Sequence, residues 1–557
     1  MKMIKKLSAA FVAFAMVMMT VVPAFAAEGD KTITNNVEGH TFAAYQIFSG
    51  TIKSTDTETG KHTLENIKWG NGINSTAFLT ALKESNDFGE SNPFTDAKTA
   101  TDVAKAMESL VADQSIKLAQ IAFANKTNTS TAIPAPTKNS DGNLTPATVD
   151  VAPGFYLIVD TTTTGLGDAK NPAILLVNGD TVIKDKKEKT TVEKKVKDGE
   201  EWKDTADFAI GDEIDFKLSS KVIAEPQLSQ YNTYKYVFHD TLSSGLTALP
   251  DKANTPVDVT VKVGETTVPQ YIGEGESRVT QYTVTAPDTE NKFTVTLDNL
   301  LTLKDADGHS ISVAGQTVTV EYKAKLNSNA VIGGTGNPNT VQLEYSNDPN
   351  GNGTGKTEED KVKVFTFQLT GTKVNIVDET DTLKGAEFVL YRTSDNLPNS
   401  TPKEYAKISE GKVTEWVSSE TDINKDSVGY ADYKVTSGEN GIFNIAGLDE
   451  GTYFLQETVA PKGYVLKTTP FKFEIKAELN DTQQTLTGLT ITMDEETTPK
   501  PGTPATGIVT GNFANSMTAE LPETGGMGTT MLYVIGGVLL VGSAILLITK
   551  KRMSNEG

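Results

Sequence analysis

Cysteine is absent from all 557 residues, so no disulfide can brace this chain and no Cys/His pair can act as a nucleophilic centre. Histidine is nearly absent as well. His40, His62, His239 and His309 are scattered, lack the spacing of a metal site, and read as surface or structural residues. Without a Ser/His/Asp constellation either, a surface hydrolase finds little support. Positive charge is in deficit, 51 Lys and Arg against 72 Asp and Glu, which leaves a formal charge of -21. The pI near 4.8 argues against nucleic acid or anionic lipid as a partner and suits a soluble, self-repelling surface.

The apolar runs lie near the two ends. Residues 1–26 begin with Lys2, Lys5 and Lys6, continue through an apolar stretch from Leu7 to Val22, and close on Ala24-Phe25-Ala26. This pattern predicts a secretory signal cleaved before Ala27. At the other end stand Leu521-Pro522-Glu523-Thr524-Gly525, an apolar run over 529–548, and Lys550-Lys551-Arg552. A run of about 20 residues is long enough to span a bilayer as a helix, and the basic cluster after it keeps the tail cytoplasmic. The pentapeptide resembles the LPxTG sorting signal of Gram-positive surface proteins, in which a sortase cysteine attacks the Thr-Gly carbonyl and passes the acyl group to an amine. By that resemblance Thr524 becomes a new, covalently attached C-terminus.

Between the ends, Thr and Val recur in short alternating runs such as Thr317-Val318-Thr319-Val320-Glu321-Tyr322, bounded by Gly, Asn, Asp and Pro. That pattern predicts a mainly β protein built of antiparallel β-sandwich domains, about three for this length. Helix is expected only early, around Ser75–Ser85 and Thr95–Ala119, where Ala, Leu, Lys and Glu dominate. A lysine-rich connector at 184–189 and a Gly/Asn-rich stretch at 348–353 mark boundaries. The expected units are therefore a first domain over 27–183, a middle one over 184–350, and a third over 361–518 that closes with a strand at Ile508–Asn515. The sorting signal follows over 521–557.

Four phrases carry a wider resemblance: Ala43-Ala44-Tyr45-Gln46-Ile47-Phe48-Ser49-Gly50, Gly154-Phe155-Tyr156-Leu157-Ile158, Lys384-Gly385-Ala386-Glu387-Phe388-Val389-Leu390-Tyr391, and the run from Tyr453 to Tyr464 containing Gln456-Glu457-Thr458. Together with LPETG they resemble the backbone pilins, or major fimbrial subunits, of Gram-positive bacteria, from about residue 30 to the tail. The resemblance implies tandem immunoglobulin-like domains of the collagen-adhesin A and B types, stiffened by intramolecular Lys-Asn isopeptide bonds. It implies a structural shaft subunit on the cell-wall-anchored pilus, with no cofactor and no metal. Its implied partners are pilin-specific and housekeeping sortases, identical subunits, minor pilins, peptidoglycan and a host or bacterial surface ligand. A monomeric wall-anchored adhesin or minor pilin is the alternative.

Strand parity picks out residues able to make such bonds. In the third domain Phe367, Leu369, Gly371 and Lys373 share a face, as do Tyr453, Leu455 and Glu457, and Phe513 and Asn515. A lysine on an apolar face is driven toward its neutral, nucleophilic amine. A buried carboxyl is driven toward its protonated form and can polarise a carboxamide through its oxygen. The expected bond joins Lys373 to Asn515, with Glu457 as the acid and ammonia as the product. In the middle domain the corresponding set is Lys194, Asp240 as the acid, and Asn339. Lys195 points to the opposite face, whereas Asn347 has the same parity as Asn339 and is an alternative acceptor. For the link between subunits, Val182-Ile183-Lys184 stands where the family's Tyr-Pro-Lys motif is expected, lacking its tyrosine and proline. Lys184 is favoured over Lys186, Lys187 and Lys189 because Val182 and Ile183 could hold it at a strand end.

Overall fold

The computed structural model describes residues 30–517 apart from 54–62, 163–171, 184–189, 251–254, 274–276, 350–352, 419–422 and a few single positions, together with scattered positions between 539 and 545. The expected signal peptide lies outside the described residues, and so do Leu521, Pro522, Glu523, Thr524, Gly525 and most of 529–548. Among the described residues no helix is long and apolar enough to cross a membrane.

The first unit inserts three consecutive helices between its strands: β1 (Lys31–Asn35), β2 (Phe42–Lys53), β3 (Thr63–Trp69), α1 (Ser75–Glu84), α2 (Ala100–Met107), α3 (Ala112–Ala124), β4 (Thr131–Ile133), β5 (Ala147–Val151), β6 (Gly154–Asp160), β7 (Ala173–Val177) and β8 (Thr181–Ile183). Its main sheet runs β3-β2-β6-β7, with β4 beside β2, and a three-stranded sheet runs β8-β1-β5. The helices cover the main sheet through Phe78, Leu82, Val103, Leu118 and Ala122, packed on Phe48 and Leu157. The helical stretch expected over 95–119 is in fact two helices. Ser109 Oγ takes the Ala106 carbonyl at 2.8 Å, which competes with the helical ladder, and the Gln114 side chain then accepts the Val111 N–H at 3.2 Å to start α3.

The middle unit contains β9 (Glu193–Asp198), β10 (Thr205–Asp207), β11 (Glu213–Lys221), β12 (Tyr236–Leu242), β13 (Val259–Val263), β14 (Lys292–Leu297), β15 (Thr317–Leu326), β16 (Asn337–Ser346), β17 (Thr354–Lys356) and β18 (Asp360–Phe365). One sheet contains the order β9-β11-β15-β13 and the other β10-β18-β16-β12-β14. Strict alternation sends Val318, Val320, Tyr322, Ala324 and Leu326 of β15 into the space between them. The unit does not end at 350: β17 and β18 both pair with β16, and the sheet closes only at Phe365.

The third unit holds β19 (Phe367–Asn375), β20 (Glu387–Thr393), β21 (Ile442–Leu448), β22 (Gly451–Val459), β23 (Phe471–Asn480), β24 (Thr485–Met493) and β25 (Ile508–Asn515). Its last strand lies parallel to its first, with Lys373 opposite Phe513 and Asn375 opposite Asn515.

Only Thr366 separates β18 from β19, and one apolar cluster runs through both units, including Val364, Phe365, Phe367, Ile210 and Leu448. Arg392 ties them further. It grips Asp212 of the middle unit at 2.7 and 3.2 Å, meets Glu404 at 2.8 Å, and lies 4.3 Å over the Trp416 ring. Replacing Arg392 by alanine leaves Asp212, Glu404 and the nearby Asp449 without their shared cation. We expect Arg392→Ala to lose about 1–3 kcal/mol, between the values of exposed and buried pairs, measured as a lower denaturation midpoint of the second and third units.

Candidate crosslinking sites

In the third unit, β19, β22 and β25 bring Lys373, Glu457 and Asn515 together, all buried. Lys373 Nζ donates to the Asn515 carboxamide oxygen at 2.6 Å and to the Phe513 carbonyl at 2.7 Å, and stands 3.6 Å from Glu457 Oε1. Asn515 Nδ2 donates to both Glu457 oxygens at 3.0 and 2.9 Å and to the Val465 carbonyl at 2.9 Å. The carboxyl therefore meets the amide nitrogen, not the oxygen expected from the sequence. Two acceptors, Glu457 and Val465, draw the nitrogen to one side and leave the oxygen facing the amine. Burial lowers the Lys373 amine to about 8, against the partial opposition of Glu457.

The middle unit builds a comparable cluster across its two sheets. Lys194 projects from β9, while Asp240 on β12 and Asn339 on β16 come from the facing sheet, all buried. Lys194 Nζ donates to Asp240 Oδ2 and, at 3.1 Å, to the Tyr322 hydroxyl. That hydroxyl donates to Asp240 Oδ1 at 2.9 Å and accepts from Asn339 Nδ2 at 2.7 Å. Burial pushes the Lys194 amine down and the Asp240 carboxyl up, so both move toward their neutral forms. In a buried site, a neutral amine beside a neutral acid avoids the cost of desolvating two charges. Tyr322 was missed by the sequence reading; the only signal was its place on the buried face of an alternating strand.

The remaining candidates fall elsewhere. Lys195 points away and bonds Asp204 at 2.6 Å. Asn347 lies eight positions beyond Asn339, about 27 Å along an extended strand, and its backbone N–H bonds Gly353. Lys184, Lys186, Lys187 and Lys189 are outside the described residues, although Val182 and Ile183 do end β8. His40 is buried against Asp160 at 2.7 Å, and His239 meets Glu344 at 3.2 Å. The sequence reading overlooked one grouping, Asp305, Asp307 and His309, whose ligand atoms lie within 4.8 Å of one another on a turn. The Asp305 carboxylate there accepts the backbone N–H groups of Asp307 and His309, so the turn's own hydrogen bonds account for the grouping.

Residues 210–349 match the family described as Gram-positive pilin backbone subunit 2, Cna-B-like domain. That stretch of the middle unit carries a domain of the Gram-positive backbone pilins. Residues 367–490 match the SpaA prealbumin-like fold domain. The Trypsin-resistant surface T6 protein of Streptococcus pyogenes serotype M6 is 25% identical over 294 residues, 42% of this chain and 48% of that protein. The chain thus spans about half the length of the curated relative it matches. Among solved structures, the T6 backbone pilin of the same organism is 18% identical with a TM-score of 0.46, covering 88% of this chain and 99% of that one. The full-length major pilin SpaD of Corynebacterium diphtheriae is also 18% identical, with a TM-score of 0.43 and the same coverage.

The lowered Lys373 amine has a consequence for any variant that cannot react. Its unfolded form keeps the usual value near 10.5, so between about pH 8 and 10.5 the unfolded chain holds the extra proton. Stability must then rise with pH across that window. Asn515→Ala is expected to gain about 3 kcal/mol from about pH 7.5 to 10.5, relative to Lys373→Met/Asn515→Ala, in denaturant titrations at the two pH values.

Proposed function

We propose that this chain is a backbone pilin, the shaft subunit of a covalently polymerised cell-surface pilus, exported, assembled and wall-anchored by sortases, and closed internally by two autocatalytic Lys-Asn isopeptide bonds. The supporting observation is the burial of Lys194 and Lys373, each within reach of a carboxyl group and a carboxamide cluster. In each bond the neutral amine attacks the carboxamide carbon, an amide forms, and the amide nitrogen leaves as ammonia. Asp240 and Glu457 supply and take up protons. The reaction occurs once per molecule, so the protein is structural and not a turnover enzyme.

The positions of the proposed bonds suit a molecule under tension. If Lys184 receives the threonine of one neighbour and Thr524 is joined to the next, force enters before β9 and leaves after β25. A Lys194–Asn339 bond carries it past residues 195–338, and a Lys373–Asn515 bond past residues 374–514. The strands in between are then spared the load that would otherwise unzip their sheets. Each bond also closes a loop of roughly 140 residues, which is worth about 5 kcal/mol in the chain-entropy model of crosslinks. For an exported chain without cysteine, this chemistry takes the place that disulfides hold elsewhere.

Pilin-specific and housekeeping sortases, further copies of the same chain, minor pilins and peptidoglycan are the partners this reading requires. It is tested by the intact mass of a fragment from Ala27 to Glu520. Loss of two ammonia molecules predicts a deficit of about 34 Da, falling by about 17 Da in Lys194→Ala and again in Lys373→Ala. A mass equal to that of the sequence overturns the internal bonds. In the native host, a denaturant-resistant polymer ladder lost in Lys184→Ala supports the shaft role, whereas a single monomer band supports a wall-anchored adhesin.

A further inference from the structure

The two clusters differ in how the carboxyl group reaches the carboxamide. Glu457 touches Asn515 Nδ2 with both oxygens. Asp240 is one methylene shorter. Its Oδ2 meets the Lys194 amine, its Oδ1 meets the Tyr322 hydroxyl, and it is the hydroxyl that touches Asn339 Nδ2. The Asn339 carboxamide oxygen has no hydrogen-bond partner among the described residues. Tyr322 is thus the polar link between the acid and the group that must leave.

Its ring is held for that task. Tyr322 stacks on Phe216 at 5.5 Å and meets the edge of Phe293 at 5.1 Å, one ring from each sheet. The backbone register of β15 sets it directly across from Phe216. The side chain is buried between the two sheets.

We propose that Tyr322 is a catalytic residue of the middle-unit reaction, relaying a proton from Asp240 to the departing nitrogen of Asn339. This rests on reading Lys194, Asp240 and Asn339 as a bond-forming set. Lys194 Nζ bonds to Asn339 Cγ and gives its surplus proton to Asp240 Oδ2. The proton on Asp240 Oδ1 moves to the tyrosine oxygen as the hydroxyl proton moves to Asn339 Nδ2. The Cγ–Nδ2 bond then breaks and ammonia leaves. The hydroxyl, which donates to Oδ1 at rest, exchanges donor and acceptor roles by turning about its C–O bond. Asp240 and Tyr322 each finish with the one proton they began with. Burial holds the phenol well above its usual range, so a relay that never leaves it ionised fits the site. No hydroxyl is needed in the third unit, where the longer Glu457 reaches the nitrogen itself.

The test follows bond formation in the full chain, made by cell-free synthesis, sampled over time, digested under denaturing conditions and weighed. The Lys373–Asn515 peptide pair is an internal clock that Tyr322 does not touch. Tyr322→Phe is expected to slow the Lys194–Asn339 bond on the order of 100-fold, the usual loss on removing a proton-transfer group, with the clock unchanged. Asp240→Glu/Tyr322→Phe should recover most of that rate, because the added methylene lets the carboxyl reach Asn339 directly; a group that served packing alone gives no such rescue. A Tyr322→Phe chain that crosslinks as fast as the parent, or a double variant that crosslinks its third unit but shows no rescue in the middle one, overturns the relay. If the parent itself never forms the middle bond while the clock bond forms, the bond-forming set fails and the relay falls with it.

Discussion

A lysine amine sealed away from water is the constraint around which the second and third units are arranged. Lys194 and Lys373 sit at 0% exposure, among aromatic and aliphatic side chains that offer little solvation to an ammonium. A charged amine in such a place is expensive, and truncating a partner makes it more so. The fold answers with a carboxyl beside each amine and a carboxamide within the same cluster. If the amine becomes an amide, the buried charge disappears and the two strands that carry it become one covalent path. On that proposal, a fold that bears tension without disulfides answers a local problem in solvation.

The proposed chemistry would run in two geometries. In the third unit the partners lie on adjacent parallel strands of one sheet, so the carboxamide is already beside the amine and a long acid completes the set. In the middle unit the partners face each other across a sandwich, and an aspartate with a tyrosine spans the distance. The two units are also fused through a continuous apolar core and the Arg392 clamp. Contacts between the first and middle units include the polar ones from Lys117 to the Ser229 carbonyl and from Gln120 to the Gln230 carbonyl, at 3.1 Å each.

Much of this was legible in the sequence because the side-chain period of a strand is two. Parity put Lys373, Glu457 and Asn515 on inward faces, and the observed strands carry them there. Parity is blind to distance along the strand, so Asn339 and Asn347 looked alike until the register set Asn339 opposite Leu242, two residues from Asp240. Tyr322 escaped notice because nothing local separates a reactive tyrosine from a packing one; its meaning depends on strands 80 and more residues away. Gly- and Asn-rich composition marked a break after β16 but could not tell a connection within a sheet from a boundary between units. The helix break around Ser109 was missed because Ala, Lys and Glu on either side favour helix, and the Ser109 hydroxyl bonded to the Ala106 carbonyl is a weak local signal.

The most direct test of the central claim is an electron-density map of the exported protein at high resolution, viewed at Lys373 and Asn515. Continuous density between Nζ and Cγ at the length of an amide bond, about 1.33 Å, is the predicted result. Separate side chains, with Nζ hydrogen-bonded to an intact carboxamide, would contradict it.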